Sequence, residues 1–199
     1  MPSKIMIIRH GEKPTVKRES PYGVTADGAQ DFESLLVRGW QRAGALAALF
    51  APARGPLQDA NLAVPTLIYA SEPEKNDADS EGHKGSKSLR PLQTIQPLAG
   101  RLGLTPDLGF EKGQEKELAK DVMSQSGVVL ISWQHESILD IVKHLIKGAA
   151  VAGSIPGDWP GERFDIVWVL APPTAQNPSW VFVQVPQRLL EGDQNSVIS

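Results

Sequence analysis

The chain contains no cysteine. That single absence excludes disulfides, thiolate metal sites and a cysteine nucleophile together, and it is compatible with a reducing cytosol. Long hydrophobic runs are missing as well. The N-terminal apolar stretch, 5–8, passes at once into Arg9 and His10 and is too short for a signal-peptide core. Nothing approaches the roughly 18 apolar residues of a membrane span. Positive charge is not in excess either: Lys+Arg number 20 against Asp+Glu 23, for a net charge of −3. No global basic field therefore recommends nucleic acid or an acidic membrane as partner, and any anion must be held by a local cluster of cations. These absences lead us to expect a soluble, cytoplasmic protein. Its 199 residues, 41% hydrophobic and 22% charged, suit one well-packed domain over 1–199.

What is present is an alternation of patterns. Five apolar runs rich in β-branched residues predict strands at 5–8, 67–70, 128–133, 164–170 and 180–185. Helical spacing appears at 39–50, where Trp40, Ala43, Leu46, Ala47 and Phe50 share one face before Pro52 and Gly55 end the run. A second helix is predicted from Pro91 to Gly103, with a kink or break at Pro97. Two more are predicted at 114–123 and 137–147, the last ending at Gly148. Strands alternating with helices require crossover connections and hence a mostly parallel sheet. The last two strands are joined by a proline-rich segment without helical pattern, so they predict a C-terminal β-hairpin. The expected fold is a three-layer α/β/α sandwich. Trp168 and Trp180 are expected to be core or hairpin-pairing residues. Segments 13–33 and 72–88 are polar and predict loops. The second, EPEKNDADSEGHKGSKS, reads as a solvated insertion, with a lid over a site as the alternative.

Ligands of parallel α/β sheets bind beyond the carboxyl ends of the strands. Two of the four histidines fall at such ends. Strand one exits into Arg9-His10-Gly11-Glu12-Lys13, strand two into Ser71-Glu72 with Arg90 beyond the insertion, and strand three into Gln134-His135-Glu136. Arg9 and Arg90 offer planar forks of N–H donors matched to phosphate oxygens. An imidazole between two guanidiniums loses affinity for its own proton, which would leave His10 neutral and able to attack phosphorus. His135 would donate to the phosphoryl oxygens, and a carboxylic acid would protonate the leaving alkoxide. A metal site built on His10, His135 and carboxylates is the weaker reading, because no paired-ligand spacing occurs and the arginines would repel a dication.

The segment IMIIRHGE, 5–12, resembles the signature of the histidine phosphatase superfamily (phosphoglycerate mutase-like proteins), in which a strand delivers Arg-His-Gly to the active site. Three further blocks resemble that family in the right order. They are LVRGWQRAGAL from Leu36, LIYAS from Leu67 followed by RPLQT from Arg90, and VVLISWQH from Val128. The resemblance implies phosphorylation of His10 and a phosphate pocket of Arg9, Arg90 and His135, with no cofactor and no metal. It leaves Arg38 and Arg42 as structural or surface groups. The position of Glu136 after His135 is similar to the His-Asp pair of the acid-phosphatase branch and makes Glu136 the favoured general acid. Glu111 and Glu115 come next, then Glu12 and Glu72. Arg90 stands about fifteen residues further from the strand-two serine than is usual, so a loop excursion must carry it back. The implied function is metal-independent phosphomonoester hydrolysis of a small phosphorylated substrate, phosphoprotein also being possible. A mutase-like phosphotransferase and a non-catalytic phospho-ligand binder are the alternatives. Oligomeric state has no signature in the sequence.

Overall fold

The computed structural model describes residues 1–17, 19–74 and 86–199. Six strands, β1 (Lys4–Arg9), β2 (Leu67–Ala70), β3 (Val128–Trp133), β4 (Val151–Ala152), β5 (Ile166–Ala171) and β6 (Trp180–Pro186), form one sheet in the order β2-β3-β1-β5-β6-β4. The β2–β3 and β3–β1 pairs are parallel, β5 is antiparallel to β1, and β5 and β6 form the expected antiparallel hairpin. Four helices, α1 (Val37–Phe50), α2 (Arg90–Leu102), α3 (Glu115–Ser124) and α4 (His135–Ile146), complete the three layers.

β1 reads as an unbroken apolar run because both of its faces are covered, as a central parallel strand requires. Ile5 and Ile7 enter one core with Leu118, Val122, Ile141 and Leu145 of α3 and α4. Met6 and Ile8 enter the other, with Leu46, Phe50, Ile95 and Leu98 of α1 and α2. Trp168 is fully buried in the first core, with its ring centroid 4.8 Å from that of Trp159 and 5.3 Å from that of Phe182. Trp180 is buried in the same core.

Three expectations need correction. Helix α2 runs through Pro97 without interruption and ends where Gly103, at φ 66, takes the left-handed cap. Pro97 costs the helix a hydrogen bond, but Ile95, Leu98 and Ala99 on either side are buried in the core, and that burial offsets the loss. Helix α4 begins at His135 rather than at residue 137, which puts His135 and Glu136 in its first turn. The fifth predicted strand begins at Ile166 instead of residue 164. Asp165 is diverted by its pairing with the Arg163 Nε at 2.8 Å and by the Gln194 N–H at 2.6 Å, so Phe164 leaves the sheet. β4 has no counterpart in the prediction. Two residues at a sheet edge carry too little periodicity to be seen.

Most of the polar insertion lies outside the described residues. Its base does not: the Glu74 N–H donates to the Ser86 carbonyl at 2.8 Å. The excursion is thereby closed at its neck, and the chain returns to start α2 at Arg90, as the long spacing demanded.

Candidate active site

The β1–β3 register places Arg9 opposite Trp133, so the two central strands end side by side. The His10 N–H still donates to the Trp133 carbonyl at 3.1 Å. Beyond that last rung the chain of β1 turns away as Gly11-Glu12, while the chain of β3 passes through Gln134 into α4. A Cβ on Gly39 of α1 would lie 2.6 Å from the Glu12 carbonyl oxygen, so glycine is what lets the helix approach this exit. From α2, Thr94 accepts the Gly11 N–H at 2.8 Å and donates to the Arg90 carbonyl at 2.7 Å. Gln134 donates to the Ser71 Oγ at 2.8 Å and ties the exits of β2 and β3 together.

His10 is 2% exposed. Its Nδ1 lies 2.8 Å from the Gly11 carbonyl oxygen. A carbonyl only accepts, so Nδ1 carries the proton and the lone pair of the neutral ring sits on Nε2. Burial, first, and then the Arg9 charge push the His10 pKa well below its ordinary 6.5; Arg90 and Lys13 act in the same direction, and only the Gly11 contact opposes them. The nucleophile expected from the sequence is thus neutral at physiological pH.

Arg9 is fully buried. Its Nη1 donates to the carbonyls of Pro160 and Arg163, each at 3.4 Å, and of Gly161. The guanidinium lies 3.8 Å from the centre of the Phe164 ring, the residue that left the strand, and this face-on contact replaces part of the lost hydration. Burial lowers the Arg9 pKa to about 10, which leaves it cationic at neutral pH. Among the described residues the Nε and Nη2 groups of Arg9 have no acceptor. Charged donors in that condition cost several kcal/mol unless an anion meets them.

Arg90 is held by the segment between β1 and α1. Nη2 donates to the Phe32 carbonyl at 2.6 Å, Nε to the Ser34 carbonyl at 3.3 Å and Nη1 to the Ser88 Oγ at 3.2 Å, with Glu33 3.5 Å away. Lys13 joins the cationic group, its pKa lowered by burial and then by Arg9 and Arg90. At the first turn of α4, His135 packs against Gly161, whose Cβ position would lie 3.5 Å from the His135 Nε2, an ordinary contact, and whose carbonyl receives Arg9. A cleft of about 450 Å³, lined by His135, Glu136, Gly157, Trp159 and Gly161 among others, opens on this side.

The candidate acids separate by environment. Glu136 is 2.5 Å from the Lys112 Nζ, and its Oε2 lies 2.8 Å from the His135 Nδ1, at hydrogen-bond distance without hydrogen-bond angle. Its pKa is held well below the carboxylate range by His135 first and then, against the opposing effect of burial, by Lys112. Its charge also reaches Arg9, Arg90 and Lys13. Glu12 is committed elsewhere: it accepts from Arg42 at 2.8 Å and from Arg38 at 3.1 Å, and Arg42, 2% exposed, is also bound to Asp193 at 2.7 Å. Arg42 is therefore a structural cation. Glu115 is buried and accepts the Trp133 indole N–H and the Gly113 N–H, both at 3.0 Å. Glu111 and Glu72 meet through a backbone bridge beside β2.

Arg9, His10 and Arg90 with Lys13 and Glu136 therefore interact electrostatically as one cluster, and His135 borders it through Gly161. Lys13, Lys112, Phe164 and the carbonyls at 160–163 had no role in the sequence reading. Of these only Lys13, three residues beyond His10, had a local signal.

No family model matches the sequence, and no curated protein is significantly similar to it. Among solved structures it is similar to one named as the phosphohistidine phosphatase SixA from Agrobacterium tumefaciens, at 15% identity, covering 93% of this chain and 99% of that one, with a TM-score of 0.48. It is also similar to the protein histidine phosphatase SixA complexed with tungstate, at 13% identity, 92% and 97% coverage and a TM-score of 0.49. A third is Mycobacterial hydrolase 1, at 15% identity, 92% and 97% coverage and a TM-score of 0.45. At such identities the site chemistry rests on this chain's own residues.

Proposed function

We propose that the protein is a phosphomonoester hydrolase that acts through a phosphohistidine intermediate on His10, without a metal ion. The observation that carries this reading is the buried, neutral imidazole whose Nδ1 is fixed by the Gly11 carbonyl, beside a buried guanidinium with unmatched donors. A phosphate dianion would supply the acceptors that Arg9 Nε and Nη2 lack, next to the Nε2 lone pair.

In the first step a bond forms between His10 Nε2 and phosphorus while the bond to the ester oxygen breaks. The arginines and the N-terminal end of α4, with His135, stabilise the equatorial oxygens. The departing alkoxide takes a proton from Glu136. In the second step water attacks phosphorus, Glu136 accepts its proton, and phosphate leaves as His10 regains its lone pair. The resting Glu136, an ion-paired carboxylate, is set for the second step; for the first it must take up a proton as the anionic substrate enters and weakens the hold of Lys112. Whether the substrate is a small molecule or a phosphoprotein, the phosphoryl group meets the same residues.

Incubation with a nitrophenyl phosphate tests the proposal. Turnover unaffected by a chelator and lost by at least about 10³-fold in His10→Ala is expected. Turnover retained in that variant, or dependent on added metal, contradicts it.

A further inference from the structure

The outward faces of α3 and α4 enclose a groove of about 550 Å³ that the phosphatase reading does not use, lined by Lys116, Glu117, Lys120, Lys143, His144 and Lys147. Four lysines thus face a single carboxylate in a chain whose net charge is −3. Lys143 has Asp140 at 3.3 Å, but no ion pair is formed by Lys116, Lys120 or Lys147 among the described residues. Like charges four residues apart on a helix repel, as Lys116 and Lys120 of α3 do, and Lys143 of α4 borders the same concavity with Lys147, the left-handed residue that caps that helix. We propose that this groove is a docking surface for an acidic, extended segment of a partner protein.

Charge complementarity selects the occupant, and spacing selects its form. Four residues of helix rise about 6 Å, whereas side chains on one face of an extended peptide repeat at about 6.6 Å. Carboxylates at alternate peptide positions therefore match Lys116 and Lys120 along α3. The groove also has a direction. Lys143 lines both it and the neighbouring cleft that contains His135 and Glu136. A bound segment would continue toward the candidate active site.

The test is a fluorescence-anisotropy titration with a labelled peptide of alternating Glu and Ser, and with its Gln-Ser counterpart, at about 50 mM salt, where exposed charges are little screened. The whole chain is compared with the Lys120→Glu/Lys147→Glu pair, the milder Lys120→Ala/Lys147→Ala pair and Arg54→Glu, an exposed cation elsewhere. Expected results are binding of the acidic peptide only, at least about tenfold weakening in the charge reversal, a smaller loss in the alanine pair, and none in Arg54→Glu. Absence of binding at about 1 mM peptide, equal binding by all variants, or capture of inorganic polyphosphate but not of the peptide would overturn the proposal. Binding is read without catalysis, so it stands or falls separately from the phosphatase reading. Nitrophenyl phosphate turnover, where present, should be the same in the charge-reversed pair as in the parent chain.

Discussion

The buried neutral state of His10 has a thermodynamic signature that needs no substrate. In the unfolded chain the imidazole titrates near its ordinary pKa of 6.5, whereas in the fold burial and the Arg9 charge hold it far lower. Below pH ~6.5 the unfolded state binds a proton that the folded state refuses, so stability falls as pH drops through that value. The loss from about pH 7.5 to about pH 5.5 is then about 1.4 kcal/mol for this one group. In a chain of this length 1 kcal/mol corresponds to roughly 2–4 °C of Tm, which makes the contribution about 3–6 °C. Thermal unfolding in phosphate-free buffers measures it as the difference between the parent chain and His10→Asn. The other three histidines and the carboxylates are common to both and cancel. The variant should lose about 3–6 °C less than the parent across that interval. An identical pH dependence in the two chains would show that His10 is not held neutral by the fold, and the nucleophile would lose its physical basis.

Two further outcomes follow from the same geometry. In Glu136→Gln, turnover of substrates with poor leaving groups should fall by about 10²–10⁴-fold and that of nitrophenyl-type substrates far less; equal slowing of both, read from steady-state kcat/KM, would remove Glu136 from the role. Arg42→Ala should destabilise the fold by about 3–5 kcal/mol in urea titration, because it takes the buried guanidinium from between two carboxylates, leaving Glu12 to the half-exposed Arg38 and Asp193 to backbone N–H groups. A loss below about 1 kcal/mol would show that water takes over the pairing.

The sheet was legible where covering helices force apolar runs: β1, β2 and β3 stand in the sequence as IMII, LIYA and VVLISW, and their exits follow from alternation alone. Local patterns misled where distant contacts decide. Pro97 is tolerated because Ile95 and Leu98 are anchored in a core built by other elements, and Phe164 is drawn off β5 by pairings around Asp165. The same division holds at the site. His10 and Arg9 announce themselves at a strand end, but the carbonyls that engage Arg9 lie 151 to 154 positions away. Lys112, which with the adjacent His135 keeps Glu136 ionised, is 24 positions distant with no motif around it. Glu115 and Glu12 looked like candidate acids because sequence shows a carboxylate without its partner; Trp133 and Arg42 are those partners.

The central claim concerns one bond, between phosphorus and Nε2 of His10. Rapid acid-free quenching during turnover of a labelled phosphomonoester, followed by alkaline digestion and ³¹P spectroscopy, reads that bond directly. An acid-labile, alkali-stable phosphoryl group on Nε2 of His10 is the predicted result, absent in His10→Ala. Turnover with no trapped intermediate under pre-steady-state conditions, or label on any other side chain, would contradict the account.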